Sequence, residues 1–483
     1  MQQIDVAIVG AGMGGVCAAI QLRASGVQSL LVLERSAEVG GTWRDNIYPG
    51  CACDVPSHMY SFSFAPHTRW SRPYPQQQEI QDYLLDVVAR HGIRPLIRFH
   101  CDVDALDWQP QSECWRIELK GQAPLLARHV VLATGPLNKA LIPDLPGIQD
   151  FAGESFHSSH WRPDLNLNGK RVAVVGTGAS AVQFVPAIAP EAAQVTVFQR
   201  TPGWVLPRWD APYGRLRRMA YRYVPFLQRL SRWRVYWFNE WIGMAFMGSE
   251  HMQGMLRRLA LHHLHKQVAS DKLRAALTPD FNPGCKRLLI SNTWYPTLQR
   301  SNVQLVTQAV AGIDSTGVTG TDGSHYPCDV IVWGTGFKAT EFVAPLRIYG
   351  ESGLELGAIW RDNPAAANLG ITVAGFPNLF MLVGPNTGLG HNSIIFMIEC
   401  QVHYIAMALK QLRARRQTVL RLRPAVQSEG YKHMQHKMRR TVWSSGCNSW
   451  YQHADGHIDT LWPGFTWEYW LKTRRCNVAD YIF

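Results

Sequence analysis

One local pattern occurs twice in this chain: an apolar strand, a glycine-rich turn and a helix. The first copy reads IDVAIVGAGMGGVCAAIQL and places Gly10, Gly12 and Gly15 in GxGxxG spacing. In such a unit the first glycine permits a tight turn, the second lets the backbone approach a pyrophosphate, and the third lets the helix pack closely on the strand. The phosphate then lies at the helix amino terminus, where unpaired N–H groups favour negative charge. The pattern predicts a dinucleotide-binding unit.

The second copy reads KRVAVVGTGASAVQF and has the same order of elements. Its turn and first helical residues are Gly176, Thr177, Gly178, Ser180 and Ala181. A chain of 483 residues is too long for one ordinary core. We therefore expect an α/β protein with two Rossmann-like domains.

The residue that ends the next strand differs between the two copies. Glu34 and Arg200 each lie 24 residues after the first glycine of their copy. A carboxylate can accept hydrogen bonds from a ribose diol and would repel a 2′-phosphate, whereas Arg200, with the hydroxyl of Thr201, can bind that phosphate. The first site is thus predicted to bind FAD or NAD and the second NADPH. Arg200 could instead be a solvated charge, but we favour the ligand role.

Three further apolar strands close these units. HVVLATG (129–135) and CDVIVWGTGF (328–337) run into Thr-Gly turns, and FPNLFMLVGPN ends at Asn386, where a doubly wound sheet binds ligand. Asn386 is therefore expected to face the flavin. The predicted domains are a discontinuous FAD-binding domain (1–140 and 375–483), a linker (141–164), an NADPH-binding domain (165–208 and 283–374) and a helical insertion (209–282).

The formal charge of +12 is concentrated in one segment. Between Ala211 and Arg274 there are twelve Arg and Lys against three Asp and Glu, and no nucleic-acid-binding motif accompanies them. A nucleic-acid partner is therefore not expected. The segment 211–275 mixes Arg with Tyr, Trp and Phe, which fits either a helix in weak contact with a membrane surface or an insertion near the substrate pocket with solvated arginines. We favour the second, because the arginines do not separate onto one helical face.

Cysteine usage and hydropathy bear on the compartment. The ten cysteines show no CxxC and no zinc-type pairing, so neither a disulfide scaffold nor a metal site is expected. No run of eighteen apolar residues occurs, and the chain enters a strand pattern at once. These features predict a cytoplasmic protein.

The segment between the two nucleotide units carries an unusual set of aromatic and histidine residues. FAGESFHSSHW matches FxGxxxHxxxW, the fingerprint of Baeyer–Villiger monooxygenases, through Phe151, Gly153, His157 and Trp161. One position departs from the usual pattern, since Arg162 follows the fingerprint tryptophan.

A second stretch, GGTWRDNIYPGCACD, also resembles that family. It matches at the family spacing through Gly41, Trp43, Tyr48, Pro49, Gly50 and Asp54. With both glycine loops in place, the resemblance to this class B flavoprotein monooxygenase family extends over most of the chain.

The resemblance implies an enzyme with FAD and NADPH as cofactors and O2 and a small-molecule ketone as substrates. A flavin peroxide would insert one oxygen atom beside the carbonyl, giving an ester or lactone. The protein would supply charge stabilisation and exclude water. By resemblance the catalytic cation is Arg287, with Asp54 as the carboxylate that orients it, and Lys286 helps to bind the 2′-phosphate.

The resemblance also implies a set of FAD contacts and a role for the linker. His157 would tie the linker to the NADPH domain and would not act as an acid or base. The expected FAD contacts beyond the glycine loop and Glu34 are Thr42, Trp43, Arg44, Asp45, Tyr60, Val103 and Asn386.

Two other functions stay open on the sequence. Oxygenation of sulfur or nitrogen needs the same flavin chemistry without the Arg–Asp pair. A non-oxygenating NADPH flavoprotein is the other alternative, although a disulfide reductase is disfavoured because Cys51 and Cys53 stand too close for a redox-active motif.

Overall fold

The computed structural model describes residues 3–447, 451–453 and 455–483. In chain order its strands are β1 (Gln3–Val9), β2 (Leu30–Leu33), β3 (Ile97–Arg98), β4 (Val103–Gln109), β5 (Cys114–Leu119), β6 (Gln122–Leu132), β7 (Glu154–His157), β8 (Arg171–Val175), β9 (Gln194–Phe198), β10 (Val205–Leu206), β11 (Leu289–Ile290), β12 (Val303–Val306), β13 (Val310–Asp314), β14 (Gly317–Gly320), β15 (His325–Pro327), β16 (Val330–Trp333), β17 (Arg347–Tyr349), β18 (Leu379–Met381), β19 (Arg421–Leu422) and β20 (Tyr481–Ile482).

The helices lie between these strands and at the carboxyl end. They are α1 (Met13–Ala24), α2 (Thr42–Asp45), α3 (Gln77–Arg90), α4 (Ala181–Ile188), α5 (Arg215–Tyr223), α6 (Pro225–Phe246), α7 (Glu250–Gln267), α8 (Asp271–Leu277), α9 (Trp294–Thr297), α10 (Leu356–Asp362), α11 (Ile394–Arg415), α12 (Pro424–Met438) and α13 (Thr466–Thr473).

The largest sheet has the strand order β17-β4-β5-β6-β1-β2-β3, and β18 pairs with β6. Strand β1 pairs in parallel with β2 on one side and β6 on the other. Its residues are almost all buried because one face packs with helices α1 and α11 and the other with strands β4 to β6, which explains the apolar run in the sequence. Strand β17 joins the far edge through β4, so Arg347–Tyr349, within the range predicted for the NADPH domain, belongs to the large sheet.

A second, fully parallel sheet has the order β12-β9-β8-β16-β7. Strand β8 lies between β9 and β16, as β1 lies between β2 and β6, so each glycine loop follows the strand at which the strand order reverses. Two Rossmann-like sheets with a helical insertion are thus observed. The linker is not separate from the second sheet, since its residues Glu154–His157 form the edge strand β7.

The basic segment folds as helices α5 to α8, between β10 and β11, which pair with each other. Several of its large apolar side chains are exposed, among them Leu216 and Trp233. Arg232 points inward and donates hydrogen bonds to two backbone carbonyls. Among the residues that the structure describes, no helix is long and apolar enough to cross a membrane.

One disulfide, between Cys285 and Cys447, joins positions 162 residues apart. Sequence spacing carries no sign of this pair, because folding alone brings the two residues together. The eight other cysteines are free and buried.

Candidate active site

Two glycines of the first glycine loop have no room for a side chain. Gly10 has a φ of +103°, and a Cβ atom there would lie 2.7 Å from the carbonyl oxygen of Ala133. A Cβ atom on Gly15 would lie 1.8 Å from the carbonyl oxygen of Gly10. Only glycine fits at these positions, and the exposed backbone N–H groups before α1 can face a pyrophosphate. The loop therefore fits the predicted FAD.

Glu34 is held beside this loop at the end of β2. Its Oε2 accepts the N–H of Ala11 at 2.7 Å, and its Oε1 accepts the N–H of Ser36 and a hydrogen bond from Arg44 Nη1, both at 3.0 Å. The side chain is buried. This fixes the carboxylate where the ribose of a bound dinucleotide lies in such folds.

Several of the other predicted FAD contacts lie on the short helix α2 or are bonded to it. Trp43 Nε1 donates to the hydroxyl of Tyr60 at 2.9 Å, and Arg44 bonds both Glu34 and Asp45. Thr42 begins α2. Val103 begins β4, two residues after Cys101, whose N–H donates to the Glu34 carbonyl oxygen.

The second glycine loop has the same steric restriction as the first. Gly176 has a φ of +105°, and a Cβ atom there would lie 2.5 Å from the carbonyl oxygen of Gly334. Gly178 and Ser180 precede α4, which starts at Ala181. The hydroxyl of Thr177 donates to the carbonyl oxygen of Thr201 at 3.5 Å, which joins the loop to the end of β9.

Two cations converge beside this loop. Burial lowers the pKa of Lys286, and the nearby positive charge of Arg200 lowers it further. The ammonium of Lys286 also lies 4.9 Å from the ring centre of Phe281. The charges of the two side chains act on each other, and both would attract the predicted 2′-phosphate.

Arg287 and Asp54 form the central ion pair of the site. Nε and Nη2 of Arg287 lie 2.9 and 2.6 Å from Oδ2 of Asp54. The charge of Asp54 is the largest influence on the guanidinium and raises the pKa of Arg287 above its ordinary value. The arginine therefore stays charged at every pH at which the protein is folded. The structure brings together the two residues predicted to be catalytic.

Gln183, which sequence reasoning missed, positions the segment that carries Asp54. Its Oε1 accepts the N–H of Ala52 at 2.9 Å, and its Nε2 donates to the carbonyl oxygen of Ala52 at 3.3 Å. Gly50 lies against the Gln183 carbonyl, where a Cβ atom would be 2.8 Å away. A segment that follows α2 is thus clamped onto α4, beside the second nucleotide site.

Tyr451 is a second residue that the sequence did not indicate. It is buried, and burial raises its pKa to about 12, with the charges of Arg287 and Asp54 acting on it in opposite directions. The tyrosine therefore lies near the ion pair. Only long-range folding could reveal it, because the spacing from Arg287 follows no motif.

The fingerprint linker packs on the same helix as the Asp54 segment. The ring of Trp161 contacts those of Phe156 and Phe184, with ring centres 5.4 and 5.5 Å apart. Burial lowers the pKa of His157 to about 4, so this histidine is neutral near pH 7. Its Nδ1 lies 2.8 Å from the Ser159 hydroxyl, which fits the structural role inferred above.

The remaining linker residues either pack against the second sheet or lie on the surface. Phe151 packs on a cluster beneath that sheet, and a Cβ atom on Gly153 would lie 2.4 Å from the carbonyl oxygen of Asp329. Arg162 is exposed and pairs with Asp164 and Glu154 at 2.7 and 3.2 Å. It therefore forms a local surface network within the linker.

Asn386 adopts a left-handed conformation, with a φ of +55°, in the loop after β18. Its side-chain Nδ2 donates to the carbonyl oxygens of Ile458 and Leu461 at 3.2 and 3.1 Å. The amide nitrogen is thus occupied by the carboxyl-terminal segment, and a flavin contact would use other atoms of this residue.

Two dinucleotide units around a half-buried Arg–Asp pair define an NADPH-dependent flavoprotein of the oxygenase type. The family model described as "Pyridine nucleotide-disulphide oxidoreductase" matches residues 7–217. A Baeyer–Villiger monooxygenase of Streptomyces coelicolor is 42% identical over 482 residues, with 99% of this chain and 92% of the relative covered. A Baeyer–Villiger monooxygenase of Pseudomonas aeruginosa is 40% identical, with 99% and 90% covered.

Solved structures agree over the whole chain. A steroid monooxygenase bound to NADP is 28% identical with a TM-score of 0.87, and 98% of this chain and 97% of that chain are covered. The structure of OTEMO with FAD and NADP is 25% identical with a TM-score of 0.88 and 97% coverage of both chains. The chain belongs to the Baeyer–Villiger monooxygenase family.

Membership confirms several predictions made from the sequence. These are the α/β fold with two Rossmann-like domains, the FAD- and NADPH-dependent monooxygenase and the Baeyer–Villiger oxidation of ketones. The relatives give no support for membrane contact by residues 211–275. Burial raises the pKa of Cys51 to about 11, which agrees with an inert thiol at this position.

Proposed function

We propose that this enzyme oxidises apolar ketones at a site whose catalytic groups are Arg287 and Asp54. The observation that carries the proposal is their ion pair, which keeps a permanent cation beside the first nucleotide unit. When bound, FAD reduced by NADPH supplies the oxygen-activating chemistry. The chain supplies binding, orientation and charge.

The role of Arg287 is to stabilise negative charge on oxygen. An oxyanion forms on the ketone oxygen when the carbonyl is attacked, and a fixed guanidinium in a partly desolvated site stabilises it more than water would. Asp54 orients the guanidinium through two hydrogen bonds to one carboxylate oxygen. Arg200 and Lys286 hold the 2′-phosphate of NADPH, and Glu34 holds the ribose of FAD.

The residues near Arg287 indicate the substrate class. Phe246, Trp443 and Tyr451 belong to one apolar cluster between the insertion and the carboxyl-terminal segment, and this cluster includes Cys285, two residues before Arg287. This apolar environment close to Arg287 favours a hydrophobic ketone and disfavours a charged one. We also propose a cytoplasmic location, because the enzyme consumes NADPH and eight of its ten cysteines are free thiols, with Cys285 and Cys447 as the exception.

The test is product analysis with the FAD-loaded enzyme, NADPH and O2. Apolar cyclic and aryl ketones should give the ester or lactone with stoichiometric NADPH oxidation. A charged keto acid of similar size is the matched control and should react poorly. Oxidation of a thioether without any ester from the ketones would contradict the proposal, as would NADPH oxidation that yields only hydrogen peroxide.

A further inference from the structure

Two histidines and an aspartate meet in the carboxyl-terminal segment, apart from both nucleotide loops. Nε2 of His453 lies 2.9 Å from Oδ1 of Asp459, and Nε2 of His457 lies 3.6 Å from Oδ2. One ligand atom from each residue lies within 4.8 Å of the others. We propose that His453, His457 and Asp459 bind one divalent transition-metal ion of the zinc type.

The spacing of the donor atoms suits such an ion. Zinc binds imidazole nitrogen and carboxylate oxygen at about 2.0–2.2 Å, so two ligands of a tetrahedral ion lie roughly 3.4 Å apart. The two observed nitrogen–oxygen separations lie on either side of that value. Imidazole ligands favour zinc and its neighbours over calcium and magnesium, which prefer oxygen. Three protein ligands leave the fourth position for water.

The protonation state of His457 favours metal binding. Its Nδ1 lies 2.5 Å from Oδ1 of Asp455, and a carboxylate can only accept, so Nδ1 carries the proton. The lone pair is then on Nε2, which is buried and has no hydrogen-bond partner among the described residues. A carboxylate that holds the outer nitrogen of a metal-binding histidine is a common arrangement around zinc.

Packing also holds the other two ligands in place. The rings of His453 and His457 stack with centres 4.1 Å apart and planes 10° apart, so two charged imidazoliums would repel one another here. The side chain of Asp459 is fully buried, and its Oδ2 accepts the N–H of Ala365 at 3.1 Å. By the same rule Nε2 of His453 donates to Asp459 in the 2.9 Å contact, so a bound ion would displace that proton and take its place beside the buried carboxylate.

A bound ion would brace a segment that is itself hydrogen-bonded to the loop after β18. The carbonyl oxygen of Asp459 accepts the N–H of Asn386 at 2.5 Å, and Asn386 Nδ2 bonds the neighbouring residues. Tyr451, near Arg287, lies two residues before His453. The ion would thus be structural, and the inference does not depend on the identity of the ketone.

The experiment uses the untagged, FAD-loaded enzyme after treatment with a chelator and desalting. Addition of Co²⁺ should produce visible absorption bands that saturate at one equivalent, and Zn²⁺ should displace them and raise the Tm. His457→Gln and His453→Gln should each abolish the bands. Asp455→Asn, at an exposed position, should weaken binding by about 10- to 100-fold.

The matched control is the double variant His433→Gln with His436→Gln, an exposed histidine pair on α12. It should bind Co²⁺ as the wild type does. Absence of stoichiometric binding in the wild type would overturn the proposal, and so would its retention in folded His457→Gln or its loss in the control. If the histidine variants lose FAD, undiminished affinity in Asp455→Asn would overturn it.

Discussion

Arg287 directs two N–H groups, from Nε and Nη2, at one oxygen of Asp54, although the two residues lie 233 positions apart in the chain. This geometry uses two of the five guanidinium N–H groups and fixes the plane of the cation. Asp54 is itself held by the clamp between its segment and Gln183. The orientation of the cation therefore depends on three parts of the chain: the segment after α2, helix α4 and the residues before β11.

Removal of the guanidinium should slow ketone oxidation strongly and spare the fold. We expect Arg287→Ala to lower kcat by about 100- to 1,000-fold, because a preorganised donor to the oxyanion is lost. Steady-state assays of ester formation, with the FAD content checked by absorbance, measure this. Arg116→Ala is the matched control, since Arg116 is exposed and pairs with the nearby Glu118. A full rate in Arg287→Ala would refute the assigned role.

The two cations beside the second glycine loop should set the preference for NADPH over NADH. Arg200→Gln or Lys286→Gln should raise the KM for NADPH by about 10- to 100-fold, because a charge-assisted hydrogen bond to phosphate is lost. The KM for NADH should change little. Initial rates with both reductants test this, and an equal rise for both would mean that neither side chain contacts the 2′-phosphate.

Stability should fall in mild acid. Burial lowers the pKa of His58, His67, His129 and His157 to about 4, while the unfolded chain takes up these protons near pH 6.5. Between pH 6.5 and 4 the unfolded state binds more of these protons, so the contribution of the four histidines to the free energy of unfolding is complete above this window and is lost as the pH falls through it.

His129, whose Nδ1 lies 3.1 Å from the carbonyl oxygen of Asp5, offers a direct test of that prediction. His129 should contribute a slope of about 1.4 kcal/mol per pH unit within the window. Urea unfolding of His129→Gln at pH 7.5, 6 and 5 should show a smaller decline than the wild type. Parallel curves for the two proteins would show that His129 does not titrate on unfolding.

The disulfide can be counted chemically. The denatured, unreduced protein should react with a thiol reagent at eight cysteines, and at ten after reduction. Cys447→Ser should lower the free energy of unfolding by roughly 2–4 kcal/mol, because the unfolded chain is no longer constrained. Cys114→Ser, which removes a buried free thiol, serves as the comparison. Ten reactive thiols without reductant would exclude the bond.

Local sequence patterns were sufficient to predict the two Rossmann-like domains of this enzyme. The glycine turns, Glu34 and Arg200 follow from spacing within about 25 residues, because one βαβ unit fixes all of them. Trp161 and His157 were found through a motif, and their packing on the second sheet agrees with a structural role. The assignment of Arg287 and Asp54 rested on resemblance, and the structure adds their contact.

Contacts between distant parts of the chain could not be predicted from local sequence patterns. Gln183 looks like any polar residue on a helix, and only the fold reveals that its amide bonds Ala52 from another part of the chain. Strand β17 is three residues long, and its pairing with β4 leaves no periodic signal in the sequence. The predicted boundaries therefore place it in the NADPH-binding domain. The bond between Cys285 and Cys447 and the position of Tyr451 likewise depend on how the carboxyl-terminal segment returns to the site.

The clamp between Gln183 and Ala52 has a thermodynamic consequence. Helix α4 begins at the turn proposed to bind NADPH, and the segment of Ala52 follows α2, which carries proposed FAD contacts. A shift of α4 when NADP binds would therefore also move the segment of Ala52, beside the proposed FAD site. Reciprocity requires that each nucleotide then alters the affinity for the other by the same factor, so a dissociation constant for NADP measured without FAD should differ from that of the holoenzyme.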